Sequence, residues 1–424
     1  MTITIDCRWI DASGVGVYLQ GCLPFFLDCM RGVHTPPFRA LKEGMYPETN
    51  RTFSPPLPKQ HTPSLQGGVV DSGNSFFLIG NTERLSPFLR GRKNVDILDC
   101  RIKPFSLREL FFFPRQLLKK INSGDLFYSP YFNIPGFIKI PVYTTIHDII
   151  FPDMPELTSK IGLAARMWFY RRAFKRSQKI FTVSEFSKSR IAHYSQHRVP
   201  VIVTHSAVRR WTADTAPGGS SQHCIPGKKE NKKKNIILFI GNIKKHKGLS
   251  ILIEAFLQAR HEGLEHKLII VGSRENFRSA DSNFSSGLIS AGSIPADPGL
   301  VEFTGFLSDE KLLTLLGEAS LLVQPSLYEG FCLPPLEALA AGTSVLISDI
   351  PVLREIYQEY PEQALGQGFP VNWFKAGDVQ DLKEKLLSLL HNKQLEEITL
   401  PEKLENLYTF EKTSRTILTH LEEK

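Results

Sequence analysis

Short runs of β-branched and aromatic residues alternate along the chain with segments whose apolar residues recur at helical spacing. In the first half, seven runs predict strands: Ile3–Cys7, Phe76–Ile79, Val95–Leu98, Leu126–Tyr128, Val142–Ile146, Ile180–Val183 and Val201–Val203. Helical periodicity between them predicts four helices: Val17–Met30, Leu107–Ile121, Ile161–Ser177 and Phe186–Tyr194. This alternation is typical of βαβ units and predicts one α/β domain with a parallel sheet.

The second half repeats the pattern. Five further runs predict strands: Ile236–Ile240, Leu268–Val271, Val301–Phe303, Leu321–Val323 and Ser344–Ile347. Helical periodicity follows at Ser250–Arg260, Ser308–Leu316 and Pro335–Ala341. We therefore predict an α/β protein with two Rossmann-like domains, each built on a parallel sheet.

The stretch that separates the two halves has no periodicity. Residues 212–235 are rich in Gly, Ser and Pro and then in lysine, as expected of a solvated linker. We assign residues 1–211 to the N-terminal domain, 236–400 to the C-terminal domain and 401–424 to a terminal helical segment. Glu43–Gly73 and Arg274–Pro298 also lack periodicity and predict long loops or insertions.

The composition is that of a folded protein but does not indicate which kind of partner it binds. The 424 residues suffice for two or three domains, and 42% hydrophobic with 22% charged residues excludes a disordered chain. The net charge of +8 favours anionic partners but does not choose among nucleotides, phospholipid and nucleic acid. Six scattered cysteines and no apolar run near the ~20 residues that span a bilayer predict a reduced, cytoplasmic protein.

Candidate chemistry is concentrated between Leu321 and Asp349. After the predicted strand, Tyr328, Glu329 and Gly330 form a loop at its carboxyl end, where ligands bind in open parallel sheets. Pro334 and Pro335 suit the first turn of a following helix, which ends at Gly342. The free N–H groups and dipole at the start of such a helix attract phosphate.

Two carboxylates bracket this phosphate position, Glu329 before the helix and Glu337 near its start. Carboxylates repel phosphate unless they accept hydrogen bonds from hydroxyl groups on either side of it. The ligand that fits is therefore a nucleotide sugar. The structural alternative is a pair of carboxylates that only stabilise the helix dipole, at ~0.3–1 kcal/mol.

The segment from Glu329 to Glu337 resembles the Glu-Gly-Phe-x-Leu-Pro-x-x-Glu signature of the retaining GT-B glycosyltransferases of glycosyltransferase family 4. The resemblance extends over nearly the whole chain outside Glu43–Gly73 and the linker. It includes Ser13–Gly16, Ile146–Asp148, Val183–Ser187, Gly241–Asn242 with Lys247, Thr304–Leu307, Pro351–Glu355 and Thr409–Lys412. It implies two domains facing a central cleft, with a C-terminal helix that crosses back to the N-terminal domain.

The resemblance also implies roles for individual residues. Glu329 would contact hydroxyls of the transferred sugar, and Glu337 would hold the ribose. Lys247 would neutralise the diphosphate, and His147 would contact the donor sugar. Gly16 would approach the diphosphate through its backbone. The remaining substrate-binding positions would be Gly14, Asn242, Gly330, Phe331 and Leu333.

The chain departs from the family pattern at three places. Asn242 and His246 stand where many members have arginine, so Lys244 or Lys245 would supply the missing charge. Thr204–Ala207 replaces the usual Asn-Gly turn between the domains.

The implied function is retaining transfer of a hexose, with a mannose-like sugar favoured, in polysaccharide biosynthesis. The donor would be a GDP- or UDP-sugar, and the acceptor a glycan or a polyprenyl-linked glycan. Two alternatives remain open: a GT-B sugar-nucleotide epimerase, and a nucleic-acid-binding or scaffold protein. The second explains the charge but not the carboxylates beside a phosphate site, which would repel a polynucleotide.

We expect neither cofactor nor metal, because the chain contains no Asp-x-Asp triplet to hold an ion on the diphosphate. We also expect no nucleic-acid partner.

Arg166–Lys179 mixes basic with aromatic residues and suggests peripheral contact with the inner face of a membrane. The alternative is an ordinary domain helix with one core face and one solvated basic face.

Overall fold

A computed structural model of the chain describes residues 1–28, 75–89, 91–208, 233–272, 300–391, 395, 398 and 400–423. The predicted insertion Glu43–Gly73, most of the predicted linker 212–235 and the predicted loop Arg274–Pro298 lie outside these residues, as do Cys29 and Cys224. Within the described residues, Cys7, Cys22, Cys100 and Cys332 are free thiols.

The N-terminal domain is built on a seven-stranded parallel sheet. Its strands are β1 (Thr2–Asp6), β2 (Ser75–Gly80), β3 (Val95–Asp99), β4 (Leu126–Ser129), β5 (Val142–Thr145), β6 (Ser177–Thr182) and β7 (Val201–Val203). They lie in the order β3-β2-β1-β4-β5-β6-β7. The order turns around at β1, so the crevice of a doubly wound sheet lies beside its carboxyl end.

The C-terminal domain has a six-stranded parallel sheet. Its strands are β8 (Lys234–Ile240), β9 (Lys267–Val271), β10 (Val301–Gly305), β11 (Ala319–Gln324), β12 (Ser344–Asp349) and β13 (Asn372–Lys375). The order β10-β9-β8-β11-β12-β13 repeats the doubly wound arrangement. Two Rossmann-like domains are therefore present, as predicted.

Helices connect the strands and cover both sheets. Those described in the N-terminal domain are Ser13–Asp28, Thr82–Leu85, Leu107–Phe111, Arg115–Ile121, Ile150–Asp153, Lys160–Arg176 and Glu185–Ser195. Those described after the linker are Leu249–His261, Asp309–Glu318, Pro334–Ala340, Pro351–Arg354, Tyr360–Leu365, Val379–Leu386, Glu402–Glu405 and Phe410–Glu422. None of these helices combines the length and the apolar character needed to cross a membrane.

The twelve predicted strands are present, but the sequence pattern missed β13, whose Asn372 and Lys375 interrupt the apolar run. The helix predicted over Leu107–Ile121 is wrong. The structure divides it into Leu107–Phe111 and Arg115–Ile121, with Pro114 between them. Proline has no N–H to donate and disfavours helical conformation in the residue before it, so the first helix ends and a second begins.

The last helix, Phe410–Glu422, packs against the first helix of the chain. The Phe410 ring fills the space beside Gly21, where an added Cβ would lie 2.4 Å from the ring. Ser414 Oγ donates to the Cys22 carbonyl at 3.3 Å, and Lys179 Nζ donates to Glu423 at 2.7 Å. This helix follows the C-terminal domain in sequence but packs on the N-terminal domain, so it ties the two domains together.

His205 lies where the chain leaves the N-terminal domain. Its ring packs 4.3 Å from the Tyr360 ring and 5.5 Å from the Tyr408 ring, both from the C-terminal half of the chain. The buried Nε2 atom has no hydrogen-bond partner. Burial lowers the pKa of His205 to about 4.

Gly248 holds the turn Lys245–Lys247 against the end of β11. Its φ is +67°, and an added Cβ would lie 1.9 Å from the Pro325 carbonyl oxygen. The neighbouring His246 carbonyl accepts a hydrogen bond from the Leu327 amide at 2.8 Å. Only a residue without a Cβ permits this approach of two backbones.

We predict that His205 makes the protein less stable as the pH falls. The unfolded chain takes up a proton near pH 6.5, whereas folded His205 stays neutral until about pH 4. The unfolding free energy should therefore fall between these values, by at most about 1.4 kcal/mol per pH unit from this residue. Denaturant unfolding between pH 7 and pH 5 should show a shallower loss for His205→Phe than for the wild type. Identical losses in the two proteins would contradict the prediction.

We predict that Gly248→Ala is more destabilising than Gly366→Ala. Gly366 also has a positive φ of +78°, but nothing lies within 4 Å of its added Cβ. Gly366→Ala should therefore cost only the left-handed backbone penalty, about 1–2 kcal/mol. Gly248→Ala should cost about 1–3 kcal/mol more, because the turn must move away from Pro325. Chemical denaturation of both variants measures the difference, and equal losses would show that the turn adapts without cost.

Candidate active site

The carboxylate of Glu329 is held at the carboxyl end of β11 by a chain of hydrogen bonds. Gln324 Nε2 donates to Ser326 Oγ at 2.8 Å, and Ser326 Oγ donates to Glu329 Oε1 at 2.6 Å. Glu329 is 7% exposed. The loop after the strand thus fixes the orientation of a nearly buried carboxylate at the edge where the sheet meets the cleft.

Lys247 pairs with this carboxylate. Its Nζ lies 2.7 Å from both Oε1 and Oε2 of Glu329. Burial raises the pKa of Glu329. The charge and hydrogen bond of Lys247 and the hydrogen bond of Ser326 have the larger, opposite effect, so the pKa lies below its usual value. Burial lowers the pKa of Lys247, and Glu329 raises it above its usual value. Both groups are therefore charged at neutral pH.

The N-terminal domain contributes the opposite wall at His147 and Asp148. An added Cβ on Gly330 would lie 2.4 Å from the His147 carbonyl oxygen, and Ser184 Oγ donates to the Gly330 carbonyl at 2.8 Å. Glycine at position 330 is thus required for the domains to approach. Burial raises the pKa of Asp148, as does the charge of Glu329, against an opposing hydrogen bond from Ile150.

His147 is neutral and has a defined tautomer. Its Nε2 lies 3.0 Å from the Pro130 carbonyl oxygen, which can only accept, so Nε2 carries the proton and Nδ1 is left as an acceptor. The ring of Tyr18 meets it edge-on at 4.8 Å. Burial lowers the pKa of His147 to about 4, against the opposing bond to Pro130. His147 can therefore accept a hydrogen bond from a hydroxyl group at neutral pH.

Glu337 lies in the first turn of the helix Pro334–Ala340. Between the two glutamates, Cys332 has a φ of +78°, and its carbonyl accepts a hydrogen bond from Tyr357 Oη at 2.6 Å. Burial raises the pKa of the Cys332 thiol, and the charges of Glu329 and, less strongly, Glu337 add to this effect. The charges of both carboxylates thus act on the same buried thiol.

Other predicted site residues have structural surroundings of their own. Gly16 donates its N–H to the Ala12 carbonyl at 2.8 Å, and an added Cβ would lie 2.7 Å from the Ile10 carbonyl oxygen. The close approach of the Ile10 carbonyl therefore explains why position 16 is a glycine. Contact of Gly16 with a diphosphate stays a prediction. Gly14 faces open space in the same helix.

Phe331 is 5% exposed, and its ring packs 5.1 Å from Tyr408. Leu333 is half-buried against the same core. Asn242 is half-buried just after β8, two residues before the exposed Lys244 and Lys245. Binding roles for Phe331, Leu333 and Asn242 remain predictions, as does the replacement of an arginine by these lysines.

Sequence reasoning missed several residues that assemble the cleft. Ser326 orients Glu329, and Glu355 accepts hydrogen bonds from the backbone N–H groups of Glu185 and Phe186 at 2.6 and 2.8 Å. Asp153 accepts from Tyr328 Oη across the domain boundary at 2.9 Å. Glu355 and Glu185 lie inside matched motifs, but nothing in the sequence indicated that they meet.

No group of three or more His, Cys, Asp or Glu side chains among the described residues is arranged to hold a metal ion.

Comparison with known proteins finds similarity to glycosyltransferases. Residues 225–406 match the model of the family "Glycosyl transferases group 1". The chain is 28% identical over 234 residues to O-antigen chain mannosyltransferase B of Escherichia coli, covering 54% of this chain and 58% of that protein. It is 29% identical over 220 residues to O-antigen chain mannosyltransferase RfbU of Salmonella typhimurium, covering 50% and 53%. The chain thus spans about half the length of these curated relatives.

Solved structures share the fold over the whole chain. Anabaena HepE, solved in complex with UDP-glucose, aligns with a TM-score of 0.61 at 14% identity and 100% coverage of both chains. Sucrose-phosphate synthase from Thermosynechococcus elongatus aligns with a TM-score of 0.59 at 13% identity, covering 99% of this chain and 98% of that one. The fold is the two-domain GT-B fold, and the C-terminal part of the chain is similar to the group 1 glycosyl transferases.

Proposed function

We propose that the protein is a retaining glycosyltransferase that moves a hexose from a nucleotide diphosphate sugar to a glycan or lipid-linked acceptor. The observation that carries the proposal is the Lys247–Glu329 pair, which lies next to Gly330, where the C-terminal domain contacts the His147 backbone of the N-terminal domain. A partly buried ion pair contributes little net stability, because the desolvation of both charges offsets their attraction. The two charges are better explained by a ligand that has an anionic group for Lys247 and hydroxyl groups for Glu329.

The chemistry follows from the position of each group. The bond between the sugar C1 and the diphosphate oxygen breaks, and Lys247 meets the negative charge that develops on the leaving diphosphate. Glu329 accepts hydrogen bonds from sugar hydroxyls and stabilises the positive charge that develops at the ring. Nδ1 of His147 accepts from a hydroxyl of the same sugar.

Retention requires the acceptor to attack from the face that the diphosphate leaves. The acceptor oxygen bonds to C1 on that face, and its proton passes to the departing diphosphate. No additional base is needed in this scheme. Glu337, in the helix that follows, would hold the ribose of the nucleotide.

The relatives support a mannose-like sugar, since two of them are named O-antigen chain mannosyltransferases. We propose a GDP- or UDP-sugar as the donor and polysaccharide synthesis as the setting. A polyprenyl-linked glycan is an acceptor class compatible with this setting. The proposed location is the cytoplasm.

We predict that a double substitution separates the chemical role of the pair from its structural role. Glu329→Gln alone or Lys247→Met alone leaves an unpaired charge. Each should lower the unfolding free energy by about 3 kcal/mol, the lower end of the range for buried pairs. The double variant removes both charges at similar volume and should regain most of that stability. Its transfer rate should nevertheless be lower than the wild-type rate by at least about 10²–10³.

The measurements are thermal unfolding and release of nucleotide from GDP- and UDP-sugars with glycan acceptors. A double variant that is stable and fully active would show that the pair is only structural. NMR of the new anomeric bond tests retention, since an inverted product would overturn the mechanism. Conversion of the donor sugar without a glycoside product would favour an epimerase instead.

We predict that the reaction proceeds without a divalent metal. Lys247, with Lys244 and Lys245 nearby, supplies the positive charge that a bound ion would otherwise provide. EDTA should leave the initial rate nearly unchanged, and added magnesium should not rescue Lys247→Met. An enzyme that is silenced by EDTA and restored by magnesium or manganese would overturn this prediction.

A further inference from the structure

Most of the large apolar side chains that are exposed in the described residues belong to the N-terminal domain. Phe111 is 57% exposed, Phe112 73%, Phe137 60% and Trp168 48%. Phe306, 73% exposed, is a comparable residue in the C-terminal domain. Exposed apolar residues that cluster on one surface mark an interaction site, whereas single ones are ordinary.

Hydrogen bonds join the segments that carry the four N-terminal residues. The Gly136 N–H donates to the Glu109 carbonyl at 3.0 Å, so the loop carrying Phe137 lies against the helix Leu107–Phe111. Arg172 Nη2 donates to the Pro135 carbonyl at 3.1 Å, which joins the helix Lys160–Arg176 to the same loop. The Arg172 guanidinium also lies 6.0 Å from the Trp168 ring.

Basic residues surround these side chains. Arg171 and Lys175 are exposed three and seven residues after Trp168, on the same side of its helix. Residues 101–184 contain fourteen Lys and Arg against five acidic residues, which are Glu109, Asp125, Asp148, Asp153 and Glu156. Glu109 is buried and paired with Arg8 at 2.5 Å. We refer to Phe111, Phe112, Phe137, Trp168, Arg171 and Lys175 as the aromatic-basic face.

The segments that carry the aromatic-basic face leave the carboxyl ends of β3, β4 and β5 and run along the side of the domain. Phe137 and Lys175 lie five and two residues before β5 and β6 begin. A chain of ring contacts joins Trp168 to His147 at the carboxyl edge. Trp168 lies 5.0 Å from Phe169, Phe169 4.8 Å from Phe105, Phe105 5.7 Å from Tyr131, and Tyr131 6.2 Å from His147.

We propose that the aromatic-basic face docks the N-terminal domain on an anionic phospholipid membrane. Phenylalanine and tryptophan insert into the headgroup region, and arginine and lysine are attracted to anionic lipid. A second copy of the chain fits poorly, because two such faces would bring like charges together. A polynucleotide would use the basic residues but gains nothing from three exposed phenylalanines unless they stack on bases.

The test is co-sedimentation of the full chain with vesicles at low salt. The protein should pellet with an equal mixture of phosphatidylcholine and phosphatidylglycerol and remain in the supernatant with phosphatidylcholine alone. Arg171→Glu with Lys175→Glu should lower the bound-to-free ratio at least about tenfold, since each basic residue contributes ~1 kcal/mol. Phe112→Ser with Trp168→Ser should lower it as well.

Matched controls come from the other domain. Phe306→Ser with Lys385→Glu alters an equally exposed aromatic and an exposed lysine outside the face and should leave binding unchanged. Equal loss in the control and face variants would overturn the proposal. So would equal binding to both vesicle types, tighter binding to single-stranded RNA, or a dimer that the face variants dissociate. The readout is binding, so the proposal can fail or hold independently of the transfer reaction.

Discussion

The charge pair between Lys247 and Glu329 is the interaction on which the arrangement of the cleft depends. Two opposite charges are held at 2.7 Å where they are largely removed from water, Glu329 at 7% exposure. Removing charges from water is expensive, so the surrounding backbone must hold both side chains in place. Ser326 does so for the carboxylate, and the turn fixed by Gly248 does so for the ammonium group.

Contact between the domains uses backbone groups and small side chains next to this pair. Gly330 brings the loop after β11 against His147, and Ser184 bonds to the Gly330 carbonyl. Glu355 of the C-terminal domain accepts from the amides at the start of the helix Glu185–Ser195. A carboxylate at a helix N-terminus interacts favourably with the helix dipole. This contact therefore stabilises the packing of the two domains against each other.

The N-terminal domain has a second group of buried charges, which supports the aromatic residues near the cleft. Arg8 bridges Asp6 and Glu109, and all three side chains are almost completely buried. Asn133 joins the same network and accepts a hydrogen bond from Trp9 Nε1 at 2.6 Å. The network therefore fixes the loops that follow β1, β3 and β4, from which the ring contacts toward the aromatic-basic face extend.

The sequence by itself determined the elements and the identity of the central residues. Period-two and period-3.6 patterns are local, so they located most helices and twelve of the thirteen strands found in the described residues. Pro114 was the visible reason for the divided helix. The spacing of Glu329 and Glu337 on either side of Pro334 was also local, and it indicated the candidate site.

Tertiary structure decided which residues meet. The contacts of Glu329 with Lys247, of Gly330 with His147 and of Glu355 with Glu185 join positions 82 to 183 residues apart, and no local pattern encodes such pairs. The same holds for Phe111, Phe137 and Trp168, which lie on three separate segments. Their proximity follows from hydrogen bonds between those segments, from Gly136 to Glu109 and from Arg172 to Pro135.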